Sequence, residues 1–203
     1  MIHYDFYGAP DEAVDQFVRE APMGRLVTVG AGGAPHIGLY PFTIGEGAIE
    51  LHLHKDDEQL VDLRSNARCL FEVDEVLAVI PSYWVHPESA VMATAYHRTV
   101  VFECTATTSA DPEMLAERQN RIMERYQSEG GYRPVSAADP LYKGMVAMLE
   151  AVTLEIGASR AKFKLAQNRT AEERTRIIGQ LRSRGRLTDD RAADALQWTL
   201  DRD

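Results

Sequence analysis

The segment Ala161-Lys-Phe-Lys-Leu-Ala-Gln-Asn-Arg-Thr170 gathers hydrogen-bond donors at one place in the chain. On an extended backbone, Lys162 and Lys164 share one face while Phe163 and Leu165 share the other. Gln167, Asn168 and Arg169 follow at a turn into a helix. Two ammonium groups and two amides suit a ligand rich in oxygen acceptors, such as a phosphate or a ring carbonyl. A solvated strand followed by an ordinary loop fits the same composition.

A second candidate runs from Ile49 to Arg64. Ile49, Leu51 and Leu53 alternate with Glu50, His52 and His54, the pattern of a strand with one polar face. Lys55 follows, and Asp56–Arg64 reads as a short helix whose N-terminal amides and dipole attract anions. Lys55 and those amides could therefore hold a phosphate. Periodicity alone favours a solvent-facing strand edge, and Asp56 and Asp57 disfavour an anion directly beside them. A third group is Tyr96-His-Arg-Thr99, where Arg98 and Thr99 could position a phosphate or a ring carbonyl. A cross-strand ion pair is the competing account of Arg98. Tyr83 and Trp84 could cap a planar ligand or simply pack.

Elements must hold these side chains. Strands are expected at 25–29, 35–44, 49–54, 68–73, 76–81, 98–107, 151–156 and 161–165. The glycine-rich Gly30-Ala-Gly-Gly33 marks a hairpin. Helices are signalled after Pro10-Asp11, over Asp56–Arg64, from Pro112, after Asp139-Pro140 and from about Thr188. Thr170-Ala-Glu-Glu173 is a capping box ahead of Ile177, Ile178 and Leu181. Short strands linked by hairpins and interrupted by helices fit a Greek-key barrel better than a parallel sheet. No strand–Gly-x-Gly-x-x-Gly–helix unit opens a dinucleotide fold.

Acidic residues outnumber basic ones 31 to 22, a formal net charge of -9. That balance opposes a broad nucleic-acid footprint, and the one basic stretch, Arg174–Arg186, suits a solvated helix face. Cys69 and Cys104 sit in apolar stretches and read as small buried residues, not as a disulfide or a metal pair. No metal site is expected. The N-terminus shows no basic, apolar leader and no window suits a membrane helix, so the cytoplasm is the expected address.

Three segments, in order, resemble the FMN-binding split-barrel proteins of the pyridoxamine 5'-phosphate oxidase-like class, in the branch of PaiB-like negative regulators. His52-Leu-His-Lys55…Gln59 resembles that family's His-Leu-Ala-Arg-Ala-Asn-Pro-Gln. Pro81-Ser-Tyr-Trp84…Ala93-Thr-Ala-Tyr96 resembles its Pro-Ser-Trp-Tyr…Pro-Thr-Trp-Asn-Tyr. Lys162-Phe-Lys-Leu-Ala-Gln-Asn-Arg169 resembles its Lys-Trp-Lys-Leu-Ser-Gln-Asn-Arg. Nitroimidazole-resistance-like flavoproteins are echoed by Tyr96-His-Arg-Thr-Val-Val101 and Leu63-Arg-Ser-Asn-Ala-Arg68.

The resemblance implies a mainly β fold with helices, a six-stranded Greek-key split β-barrel, with an FMN-binding domain over 1–181 and a helical extension over 182–203. It implies a homodimer with FMN at the subunit interface. Carried over by position, Tyr40 would face the isoalloxazine ring. His52, Lys55, Gln59, Arg98 and Thr99 would approach the ribityl phosphate, and Lys164, Gln167 and Asn168 would contact the flavin. The implied activity is an FMN-dependent oxidoreductase using a nicotinamide reductant on a small molecule, with His97 or Tyr83 as proton donor. A non-catalytic flavin- or haem-binding regulator is the alternative, and a deazaflavin-binding relative is a further one.

Overall fold

The computed structural model describes residues 4–45 and 47–202. Seven strands form one sheet in the order β2-β1-β5-β6-β7-β4-β3. The strands are β1 (Gly24–Val29), β2 (Pro35–Tyr40), β3 (Thr43–Gly45), β4 (Ala48–His54), β5 (Arg68–Ile80), β6 (Thr94–Ser109) and β7 (Leu149–Lys164). The helices are α1 (Asp11–Glu20), α2 (Glu58–Ser65), α3 (Pro112–Tyr126), α4 (Lys143–Met148), α5 (Ala171–Arg184) and α6 (Asp189–Leu200). β1 pairs antiparallel with β2 and β5, and β4 with β3 and β7.

The expected six strands become seven because the predicted 35–44 strand divides at Pro41. Proline has no N–H for the ladder, so β2 pairs with β1 while Thr43–Gly45 turns to pair with β4. Elsewhere expected pieces merge. The strands foreseen at 68–73 and 76–81 are one strand, β5. The acidic pair Asp74-Glu75 does not break it, because Glu75 is held by Arg98 at 3.4 Å and by Arg191 at 2.5 Å. Likewise 151–156 and 161–165 are one strand, β7, and Gly157 does not end it. β6 begins at Thr94 instead of 98. The helix expected after Asp139-Pro140 starts only at Lys143, since Asp139 accepts the Leu141 amide at 2.9 Å and closes a turn first.

The chain forms two compact units. One comprises the chain up to Asp15, Asp74–Val100 and the chain from Ala161 onward. Its buried residues include Leu77, Ile80, Trp84, Tyr96, Phe163, Leu165, Ile177, Leu181 and Leu196. α5 carries the predicted capping box: the Glu173 amide donates to Thr170 Oγ1 at 3.2 Å, and the Thr170 amide donates to Glu173 Oε2 at 3.0 Å. Gly185 ends α5 in the left-handed region at φ 62°, where a Cβ is strained. Arg184 then clips this unit together. It donates to both oxygens of buried Asp189 at 2.8 and 2.5 Å and to the Val79 carbonyl at 2.8 Å, and its guanidinium lies 4.8 Å from the Trp84 ring centre.

The other unit comprises Gln16–Val73 and Val101–Arg160. Its strict alternation in β4 buries Ile49, Leu51 and Leu53, as the sequence pattern demands. Phe42 and Phe71 meet edge to face at 5.0 Å between ring centres. Arg125 on α3 donates to the carbonyls of Phe42 and Ala21 at 2.8 and 2.6 Å, satisfying backbone groups that end no ladder. Cys69 and Cys104 are buried and unbridged, and burial pushes their thiols up to about 12 and about 11. Among the described residues, no helix is long and apolar enough to cross a membrane, and no group of three His, Cys, Asp or Glu could hold a metal.

Candidate functional site

Two polar centres stand out, one in each unit. The first is a seam between β2 and the N-terminus of α2, in the unit of residues 16–73 and 101–160. Alternation along β2 turns His36, Gly38 and Tyr40 to one side. The Tyr40 hydroxyl lies 2.6 Å from Gln59 Oε1 and 2.9 Å from Asp57 Oδ2. Asp57 caps α2 by accepting the Gln59 amide at 2.9 Å. The Gln59 side chain is 1% exposed, and its amide nitrogen donates to the carbonyls of Leu26 at 2.7 Å and His36 at 3.3 Å. Gly38 leaves the room these side-chain ends occupy. A Cβ on it would lie 2.2 Å from Gln59 Oε1 and 2.3 Å from the Tyr40 hydroxyl.

One turn further along α2, buried Asp62 accepts from Thr28 Oγ1 at 2.6 Å and from His36 Nδ1 at 2.7 Å. The hydrogen bond to Asp62 raises the His36 pKa above its ordinary value. The bonds from Thr28 and His36 hold the Asp62 carboxyl below its own, against the opposing effect of burial. Tyr40 is likewise pushed up, by burial first and by Asp57 second. The seam is thus closed on itself. Tyr40 and Gln59, expected at a flavin, have their polar atoms engaged inside the protein.

His52 and Lys55 lie on β4 and just after it. Lys55 is exposed and donates to the Ala147 carbonyl at 2.7 Å, joining the end of β4 to α4. His52 is half-buried, its Nδ1 meets no hydrogen-bond partner, and burial lowers its pKa.

The second centre lies in the other unit, where the N-terminal half of β6 and the end of β7 carry Thr94, His97, Arg98, Thr99, Lys162 and Lys164. Lys164 Nζ donates to Thr94 Oγ1 at 2.5 Å. His97 Nδ1 and Thr99 Oγ1 share a hydrogen bond of 3.1 Å. Arg98 is held by Glu75 and passes 5.8 Å from the Phe163 ring centre, so the cross-strand ion pair foreseen as its alternative is present. The electrostatics differ from those of the seam. Burial lowers the His97 pKa, and the positive charges of Lys162 and Lys164 lower it further. Burial and Lys162 lower that of Lys164. Three basic groups therefore sit close enough to repel one another, an arrangement that an anion relieves.

The turn after β7 is locked by its own side chain. Gln167 Oε1 accepts the Leu165 amide at 2.7 Å, and Gln167 Nε2 donates to the Phe163 carbonyl at 2.5 Å. Between them Ala166, buried, adopts φ 66°, the one non-glycine residue in the left-handed region among the described residues. Asn168 is exposed. Of the expected contacts, the structure links Thr99 through His97 to Lys164 in one unit, ties Arg98 to Glu75 instead, and joins Tyr40 with Gln59 in the other unit. Lys162 joins the first group and His36, Asp57 and Asp62 the second. Lys162 already stood with Lys164 in the sequence motif, whereas His36 and Asp62 carried no such signal and Asp57 stood there only as an acid beside Lys55. Tyr83 is largely exposed, on the short 3-10 turn Ser82–Trp84.

Residues 1–158 match the family model described as "Putative FMN-binding domain". The chain belongs to this FMN-binding-domain family, whose match stops just before Lys162. No curated protein matches the chain. Among solved structures, a conserved hypothetical protein of Mycobacterium tuberculosis is 21% identical with TM-score 0.62, over 83% of this chain and 92% of that one. A 5-nitroimidazole antibiotic resistance protein of Bacteroides thetaiotaomicron is 13% identical with TM-score 0.60, over 76% and 84%. A FAD and haem binding protein of Mycobacterium smegmatis is 15% identical with TM-score 0.65, over 82% and 77%. At these identities the likeness establishes the fold, that of the flavin split-barrel proteins.

Proposed function

We propose that this protein binds FMN and serves as an FMN-dependent oxidoreductase for a small molecule, with a nicotinamide coenzyme as reductant. The observation that carries the reading is the convergence of Lys162, Lys164 and His97 beside Thr94 and Thr99, in a protein of net charge -9. The residues present fit an FMN: basic groups that repel one another, with hydroxyls between them, suit a ligand carrying a phosphate and a row of oxygen acceptors. Membership of the FMN-binding-domain family supports the same ligand.

When bound, a flavin supplies the redox chemistry, and the protein supplies orientation and electrostatics. Lys164, anchored on Thr94, would present its ammonium to the acceptor edge of the ring. Lys162 and Thr99 would meet the phosphate, while Arg98, next to Thr99 on the strand and so turned to its other face, stays with Glu75. His97 holds a proton weakly because of burial and the charges of the two lysines. It would take one up more readily once an anion neutralises them.

A second copy of the chain is proposed as partner, with the flavin at the interface between subunits. Supporting it is an exposed apolar row on the outer side of β2-β1-β5. The register sets Ile37 and Leu70 on either side of Val27, and Ile37 is 64% exposed and Leu39 52%. Monomeric proteins rarely leave such a row in water. Beside it opens a cavity of about 760 Å³ lined by Val27, Val29, Cys69, Leu70 and Cys104, among others.

An absorbance spectrum of the purified protein followed by FMN titration tests the reading. Flavin bands, or saturable FMN uptake, are expected. A colourless preparation that ignores FMN refutes it. The likeness to a FAD and haem binding protein favours haem as the rival ligand, for which a Soret band would be the sign. FMN retained without oxidation of a nicotinamide coenzyme would favour a sensor or regulator.

A further inference from the structure

The cavity of about 760 Å³ in the unit of residues 16–73 and 101–160 has walls of two kinds. Its apolar part comes from Val27, Val29 and Leu70, and the β1–β5 register sets Val27 directly beside Leu70. Cys69 and Cys104 extend it. Burial raises both thiols, so at neutral pH they stay uncharged and behave as small apolar groups. On the β7 side the walls are Gly157 and Ala158, residues too small to fill the space. A volume of this order suits a small molecule.

The polar part gathers at the start of β5, where Arg68 and Thr105 line the cavity. The Ala106 amide donates to the Ala67 carbonyl at 2.7 Å, which brings Arg68 and Thr105 side by side on neighbouring strands. The Arg68 backbone is tied down, its amide donating to Asn66 Oδ1 at 3.1 Å. Its guanidinium has no ion pair and no hydrogen bond among the described residues. The acid in the same walls, Glu103, is held by Arg160 at 3.1 Å and leaves Arg68 uncompensated. A lone arginine on an open surface is ordinary. Set at the edge of an apolar cavity, beside a hydroxyl, it matches a molecule with a carboxylate at one end and hydrocarbon at the other.

We propose that this cavity binds a small carboxylate with an apolar tail, the tail lying on Val27, Val29 and Leu70 and the carboxylate accepting hydrogen bonds from Arg68 and Thr105. The site shares no residue with the basic corner on which the flavin reading rests. Ile37 and Leu39, the β2 part of the row offered to a second copy, lie outside its walls. Apolar contact supplies most of the affinity, and Arg68 selects the acid over a neutral isostere.

Octanoate serves as probe, with 1-octanol as the neutral control and acetate as the charged one without a tail. Binding is followed by ligand-observed NMR saturation transfer in the native protein, Arg68→Met, Arg68→Lys and Gly157→Leu. A Cβ at Gly157 meets only the Glu103 carbonyl oxygen, at 3.6 Å, so leucine there narrows the cavity without forcing the strands apart. Octanoate is expected to bind about fivefold better than octanol, the difference that one partly screened charge-assisted contact makes. Acetate is expected not to bind measurably. Arg68→Met should bring octanoate down to the level of octanol and leave octanol unchanged, and Arg68→Lys should restore part of the difference. Gly157→Leu should weaken both. Equal binding of octanoate and octanol to the native protein, or octanoate affinity indifferent to Arg68→Met or to Gly157→Leu, overturns the proposal. So does displacement of octanoate by FMN, which would make the cavity part of the flavin site. A dimer in sedimentation that Gly157→Leu dissociates, with no octanoate bound, overturns it too and assigns the cavity to a second copy. FMN uptake is read in each preparation: its failure with octanoate binding intact sinks the flavin reading and spares this site, and the converse result sinks this site alone.

Discussion

The seam at α2 and the basic corner at the end of β7 are both dense in polar side chains, yet they are built on opposite principles. At the seam the buried donors meet acceptors inside the protein: Gln59 with Leu26 and His36, Thr28 and His36 with Asp62, Tyr40 with Asp57. At the corner the neighbours of Lys164 and His97 carry the same sign of charge. A closed network returns its interaction energy as fold stability. A set of like charges is a cost to the fold that a bound anion removes. Polar density alone does not mark a site; the balance of partners does.

That contrast can be broken most forcefully at Gly38. Gly38→Val drives a side chain onto the ends of Gln59 and Tyr40, which are held in the buried network, and should cost about 3 kcal/mol, as overpacking does. Urea denaturation would show it. Gln59→Ala strips the donors from two buried carbonyls and should cost about 2 kcal/mol, while the folded fraction keeps its FMN affinity. A Gln59→Ala protein that folds normally but loses FMN would reverse the contrast. At the corner, Lys164→Met should weaken FMN binding about 10- to 100-fold, the worth of one charge-assisted contact, and leave the urea midpoint no lower than before.

The two regions should also answer pH in opposite senses. His36 gains a proton-binding partner on folding, so its contribution is complete below about 6.5 and fades as pH rises through its raised folded value. His97 binds its proton less well in the fold, so its contribution is complete above about 6.5 and is lost as pH falls through its lowered value. His36→Gln should flatten the alkaline arm of a stability–pH curve and His97→Gln the acid arm; interchange of these effects would contradict the assignment. The smallest effect is expected at Lys55. Its contact with the Ala147 carbonyl is exposed, and Lys55→Met should move stability by less than about 0.5 kcal/mol and FMN affinity hardly at all.

Much of this architecture was visible in the residues. The alternation Ile49-Glu-Leu-His-Leu-His54 announces β4, and Thr170 with Glu173 announces α5, because both signals are local. The seam is not local. Gln59 meets Leu26 and Tyr40 across 33 and 19 residues, and nothing in the neighbourhood of a lone glutamine at the start of a helix reports that it will be buried. The continuity of β5 through Asp74 and Glu75 is hidden for the same reason, since the Glu75 partner Arg191 comes from the last helix. Lys162, Lys164 and the Tyr96–Thr99 segment were recognisable as chemistry-bearing, but their meeting depends on β6 and β7 running longer than their apolar pattern suggests.

Ala166 carries a last consequence. A left-handed alanine costs on the order of 1 kcal/mol, and a glycine there would adopt the same shape without strain. Glycine would also leave the unfolded chain freer and the turn looser. With alanine, and with Gln167 bridging Leu165 and Phe163, the ordering of the segment that presents Lys164, Asn168 and Arg169 is completed during folding. A ligand arriving at that turn meets donors already immobilised, and its affinity is not diminished by the entropy of arranging them.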